Sequence, residues 1–245
     1  MSLWGCDNMG RLLVRGMLAG LIASMLAFGF AKVFGEPQVE RAIAFEEQLA
    51  RAAGEPAEDE VFSREVQASV GLLTGIAVYG MALGGLFALA YAFISGRVIH
   101  LPARSTALIL AAVGFLALYF VPHLKYPANP PAVGLSETIG YRTQLYFGMI
   151  VFSLAALAIA VSFGWQLLAR LGAWNASIVG ALIYLTLIAI AAYALPAIDE
   201  VPETFPADLL WRFRVAAVGT QAILWTSIGI LFGLLLENGR KRPTH

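Results

Sequence analysis

The chain of 245 residues is 59% hydrophobic and 13% charged, whereas an ordinary soluble domain holds about 45–50% apolar and about 25% charged residues, so the composition points to an integral membrane protein. Sixteen basic and sixteen acidic residues give a formal net charge of zero, so bulk charge supports neither nucleic acid nor an anionic surface as a partner. The single cysteine, Cys6, excludes an intrachain disulfide and any CxxC metal or redox motif.

A membrane-crossing helix needs about 20 mostly apolar residues. Six runs approach or reach that length, near residues 12–34, 68–94, 105–122, 145–169, 176–196 and 214–236. The expected fold is therefore all-α, a bundle of six transmembrane helices forming one domain over residues 1–245. Arg11 and Arg15 precede the first run as they would a secretory signal, but its apolar stretch from Leu12 to Phe34 exceeds the 7–15 residues of a typical signal core. It reads as a retained anchor.

After the first run, Val39, Ala42, Ile43, Glu46, Glu47 and Ala50 recur at helical spacing. They predict an amphipathic helix from Val39 to Ala53 in the first outer loop, followed by an acidic linker at residues 54–60. The second run carries Gly71, Gly75, Gly80, Gly84 and Gly85, and the last carries Gly229 and Gly233. Small residues four apart let helix backbones approach closely in lipid, so these are read as packing positions. The first, third and fifth runs each end at a proline: Gly35-Glu36-Pro37, then Pro122-His123-Leu124-Lys125-Tyr126-Pro127-Ala128-Asn129-Pro130-Pro131, then Leu195-Pro196-Ala197-Ile198-Asp199-Glu200-Val201-Pro202. Four prolines fix φ and remove four N–H donors in the middle segment, which predicts a rigid, largely extended turn rather than helix.

Orientation follows from the placement of Lys and Arg. Arg11, Arg15, Arg97, Arg104, Arg170, Arg240, Lys241 and Arg242 fall on one side, predicted cytoplasmic together with both termini. The other side takes 14 of the 16 acidic residues, all but Asp7 and Glu237.

Between their ends the runs hold no Asp, Glu, His, Lys or Arg except Lys32. Proton relays and ion-coupled carriers usually place such residues at midplane, so passive or partner-dependent passage is favoured over proton coupling. His123 is the one histidine on the outer side. Were the odd-numbered runs neighbours, Glu36, His123, Asp199 and Glu200 would converge at one outer mouth, with Glu137 nearby. One imidazole with several carboxylates suits borderline divalent ions such as Co²⁺, Ni²⁺ and Zn²⁺, and the candidate metal ligands are accordingly His123, Glu36, Glu137, Asp199 and Glu200. Lys125, Tyr126, Pro127, Asn129, Pro130, Pro131 and Arg142 are candidate structural residues of the turn. Tyr126 and Asn129 are expected to hold it closed against Arg142 or the acidic turn near Asp199. No GxSxG, HExxH, P-loop or dinucleotide fingerprint is present, so an enzyme is not expected.

Phe34-Gly35-Glu36-Pro37, KYPANPPAVG (residues 125–134), ETIGYRT (137–143), Trp174-Asn175, DEVP (199–202) and FPADLLWRFR (205–214), in this order, resemble the CbtA family of predicted bacterial cobalt transporter subunits. The resemblance covers nearly the whole chain. It implies Co²⁺ as the transported ion with no permanently bound cofactor, uptake across the bacterial inner membrane in support of cobalamin synthesis, and a small single-span, histidine-bearing CbtB-like partner in the lipid bilayer. A structural or assembly subunit that docks a partner and carries no metal itself is the alternative.

Overall fold

The computed structural model describes residues 4–54, 63–98 and 100–240, and among them it is all helical with no strand. The elements are α1 (Trp4–Phe30), α2 (Glu36–Ala53), α3 (Arg64–Val66), α4 (Leu72–Ile94), α5 (Ala103–Phe115), α6 (Val121–Lys125), α7 (Ile139–Ala194) and α8 (Ala207–Arg240). Three π-helical turns, Ala31–Gly35, Gln67–Gly71 and Leu116–Phe120, join α1 to α2, α3 to α4 and α5 to α6 without a break. Five continuous helical stretches are long and apolar enough to cross a membrane: Met9–Ala53, Arg64–Ile94, Ala103–Lys125, Ser136–Ala194 and Ala207–Glu237. Residues 55–60 of the predicted acidic linker at 54–60, and the basic residues Lys241 and Arg242, lie outside the described residues.

Two expectations about the prolines are corrected. Pro37 does not end the first helix, and Pro122 does not begin an extended segment. Both occupy the first turn of a helix that continues, to Ala53 and to Lys125 respectively. A proline inside an α-helix lacks the N–H for the carbonyl four residues back, and its ring strikes that carbonyl. Here those carbonyls belong to Val33 and Leu118, each inside a π-turn that ends two residues before the proline. A π-turn pairs each carbonyl with the N–H five residues on, as Glu36 N–H does with Ala31, and this wider turn gives the proline ring room beside the carbonyl four residues back. The amphipathic helix predicted at Val39–Ala53 is therefore real but begins at Glu36, and it closes on left-handed Gly54. The extended part of the middle segment starts only at Tyr126.

The chain divides into two compact units, one of Met1–Phe115, Pro130–Ala132 and Pro206–His245, the other of Leu116–Asn129 and Val133–Phe205. In the first unit α1 packs chiefly along α4 and α8, and α5 along α8. The predicted first and third runs are thus not the main packing pair. Gly16 and Gly20 of α1 face Gly84 and Gly80 of α4 so closely that an added Cβ on any of the four would strike the other helix's atoms. Ser24 Oγ lies 2.8 Å from the carbonyl of Gly20 and 3.0 Å from that of Ile76 on α4. Gly229 and Gly233 of α8 accommodate Ala111, Ala107 and Arg104 of α5, and Arg104 pairs with Glu237 at 2.6 Å. Leu224, Ile228, Phe232 and Leu236 form the buried stripe of α8, with Phe87 and Tyr91 edge-on to Phe232. In lipid such close packing replaces the hydrophobic drive between helices.

In the second unit the fourth and fifth predicted runs both fall in Ser136–Ala194, a stretch of 59 residues. Straight, it would be roughly 90 Å long. It is interrupted at Gly172, whose φ of 73° and ψ of 166° belong to a region open essentially to glycine alone. The two halves fold back as an antiparallel hairpin. Gly164 sits against the Ala176 carbonyl and Gly180 against that of Ala160, and the Ser153 and Tyr184 hydroxyls hydrogen-bond at 2.8 Å. The predicted connection at 170–175 thus reduces to one residue.

Candidate functional site

In the second unit, α6 holds His123 in the interior, 7% exposed. Its ring stacks on Tyr119 at 5.3 Å, and its Nδ1 accepts from the Ala128 N–H at 3.4 Å, which assigns the proton of the neutral imidazole to Nε2. Tyr126 packs with Val121 and Met149 in a small apolar cluster and donates its hydroxyl to the Pro196 carbonyl at 2.8 Å. That bond ties the middle proline segment to the Pro196–Pro202 turn. Burial, followed by the Tyr141 charge, raises the Tyr126 pKa above its ordinary value, so the phenol remains a donor at neutral pH. Lys125 places its ammonium 5.8 Å from the Tyr126 ring centroid and forms no ion pair among the described residues. Pro130 is buried, while Pro127, Asn129 and Pro131 are half-buried.

Glu200 closes the same turn from the other side. Its Oε2 accepts the Leu135 N–H at 2.9 Å and the Thr138 hydroxyl at 2.9 Å, and the Arg142 Nε lies 3.4 Å away. Arg142 also donates to the Leu135 carbonyl at 3.2 Å. The Leu135 N–H, then the Thr138 hydroxyl, and more weakly Arg142 hold the Glu200 carboxyl below its ordinary value. Its depressed folded-state pKa means this latch is at full strength above the unfolded value of 4.5 and weakens as pH falls through the lower folded value. The difference in melting temperature between the wild type and Glu200→Gln should accordingly be present at pH 7 and close as the pH falls below 4.5; a difference that stayed constant with pH would contradict the latch. Asp199 and Glu137 are exposed.

In the first unit, Glu36 pairs with Arg64 across the α1–α2 and α3–α4 junctions, with side chains 14% and 27% exposed. The Lys32 ammonium donates to the Ala68 carbonyl at 2.9 Å, inside the π-turn Gln67–Gly71. Together with Glu40, Glu65 and Ser69, these residues line an open cavity of about 780 Å³.

The geometry thus brings His123 and Glu200 into the proline turns of one unit as hydrogen-bonded groups, His123 buried and Glu200 half-buried, leaves Asp199 and Glu137 on its surface, and puts Glu36 in an ion pair in the other unit. Among the described residues no group of three or more His, Cys, Asp or Glu side chains is placed to hold a metal ion. Residues 9–237 match the family described as "Probable cobalt transporter subunit (CbtA)". The chain belongs to the CbtA family. No curated protein and no solved structure gives a match. With its long apolar helices, this CbtA protein is a multi-pass membrane protein with a role in cobalt transport, and its family is a transporter subunit rather than an enzyme class.

Arg64, Lys32 and the Leu135–Thr138 segment are structural partners that sequence reasoning did not connect to the candidate acids. Arg64 and Glu36 stand 28 residues apart, and Leu135 and Glu200 stand 65 apart. No short-range pattern could have paired them.

Proposed function

We propose that this protein is the permease subunit of a cobalt uptake system in the bacterial inner membrane, serving cobalamin synthesis beside a small histidine-bearing CbtB-like subunit. Membership of the CbtA family carries this reading. The hairpin at Gly172 supports a six-span arrangement, since each half of Ser136–Ala194 is long enough to cross a bilayer; an even number of spans puts both termini on one side, which the Lys and Arg distribution favours as cytoplasmic. Span interiors free of charged residues apart from Lys32 support passage that depends on a partner rather than on proton coupling.

Exposed Asp199 and Glu137 are the proposed first contacts for the ion at the outer turns of the second unit, with His123 and Glu200 there, and separately Glu36 in the first unit, as ligands that engage only when their present hydrogen bonds open. A transport site must release its ion, and ligands held by internal partners bind weakly enough to do so. The expected result is a several-fold rise in cellular cobalt when this chain and its partner are co-expressed, and a loss of that rise in the His123→Ala, Asp199→Ala double variant with the complex still assembled. Unchanged cobalt with both subunits present would overturn the transport reading. Lost complex formation with unchanged metal sensitivity would favour a docking subunit.

A further inference from the structure

At mid-length of α8, inside the first unit, two buried polar atoms have no protein partner: Gln221 Oε1 and Trp225 Nε1. Trp225 is 4% exposed. Its ring is fixed by close packing, because an added Cβ at Gly114 of α5 would run into it. The Gln221 amide makes a side-chain hydrogen bond with Tyr79 of α4. The two residues are four apart and so share one face of the helix, with Cβ atoms about 5–6 Å apart.

An amide oxygen only accepts and an indole N–H only donates. A group that satisfies both must itself donate and accept. A bare metal ion fits the amide oxygen but is repelled by the indole N–H, and an anion meets the reverse conflict. In hydrocarbon no solvent relieves either atom, and leaving both unpaired is costly. We propose that Gln221 and Trp225 form a binding site for a single water molecule in the interior of the first unit, near the middle of the membrane. This site is neutral and hydrogen-bonding, and it rests on side chains distinct from the candidate metal ligands.

The test reads the coupling of substitution effects on the purified full-length chain. The ring lost in Trp225→Phe costs stability with or without a water, whereas removing one of two atoms bridged by a water also strands the other. Melting temperatures of Trp225→Phe, Gln221→Leu and the double variant form the cycle, in which loss of the Tyr79 bond cancels because it occurs with and without Trp225. With a bound water, each single variant lowers the melting temperature by several degrees and the double variant loses clearly less than the sum. Singles that raise it, or effects that simply add, overturn the site. Radiolytic hydroxyl labelling gives a second readout needing only folded protein. Trp225 should be labelled despite its burial, and several-fold less so in Gln221→Leu. Absent labelling, or labelling indifferent to Gln221, overturns the proposal as well.

Discussion

Substituting Gly84 by alanine is expected to unfold the α1–α4 pairing, at a cost of about 3 kcal/mol or more. The methyl group would enter the space held by the Gly16 carbonyl and the Gly20 Cα. Inserting a methylene among flexible side chains costs about 1–3 kcal/mol through local repacking. Here the obstructing atoms are main chain, which cannot choose another rotamer, so the helices must separate and lose their dispersion contacts together. Gly20→Ala meets the Gly80 carbonyl and should behave alike. Gly75→Ala is the control on the same helix. Nothing lies within 4 Å of its Cβ position, and helix propensity alone favours alanine there by up to about 1 kcal/mol. Denaturant unfolding of the three variants in detergent should therefore show opposite signs on α4 within three turns. If Gly84→Ala and Gly75→Ala proved equally stable, the close approach of α1 and α4 would be refuted.

That contrast also shows what sequence could and could not give. Spacing of four identifies Gly71, Gly75, Gly80 and Gly84 alike, yet only Gly80 and Gly84 face a neighbour; Gly75 is open and Gly71 meets its own helix at Val66. Spacing records which residues share a face, not which face another helix covers. Apolar length and composition were sufficient for the all-helical membrane fold, because in lipid the backbone must satisfy itself and helix is the simplest way to do so. The prolines misled for a local reason. Rules about proline assume an α-helical register, and the π-turns before Pro37 and Pro122 shift that register by one residue, so that helix and proline coexist. The acceptor of the Tyr126 hydroxyl was not readable, since the Pro196 carbonyl lies 70 residues away. Gln221 and Trp225 drew no notice because neither carries charge, and in sequence a lone amide and indole in an apolar run resemble packing residues.

The second large effect is expected at Arg64. Its Nη2 donates to the Glu36 carboxylate, and that carboxylate is 14% exposed. Arg64→Ala would leave the carboxylate largely buried beside the cavity without its counter-charge. Hydrogen bonds to charged groups contribute about 1.5–3 kcal/mol, and most of the loss on deleting one partner comes from the charge left behind. With Arg64 itself 27% exposed, a destabilisation of about 2 kcal/mol is expected. Adding Glu36→Gln in the Arg64→Ala background should recover part of it, because the stranded charge disappears; a purely additive pair would show that the two side chains do not depend on each other. The same variants decide whether Glu36 handles the transported ion. Arg64→Ala frees its carboxylate toward a cavity already lined by Glu40 and Glu65, so an ion-handling Glu36 gives faster cobalt uptake at low external metal in Arg64→Ala and slower uptake in Glu36→Gln. If Glu36 only braces the junction of α1 with α2, both variants lower uptake in step with their lost stability, and the opposite signs never appear.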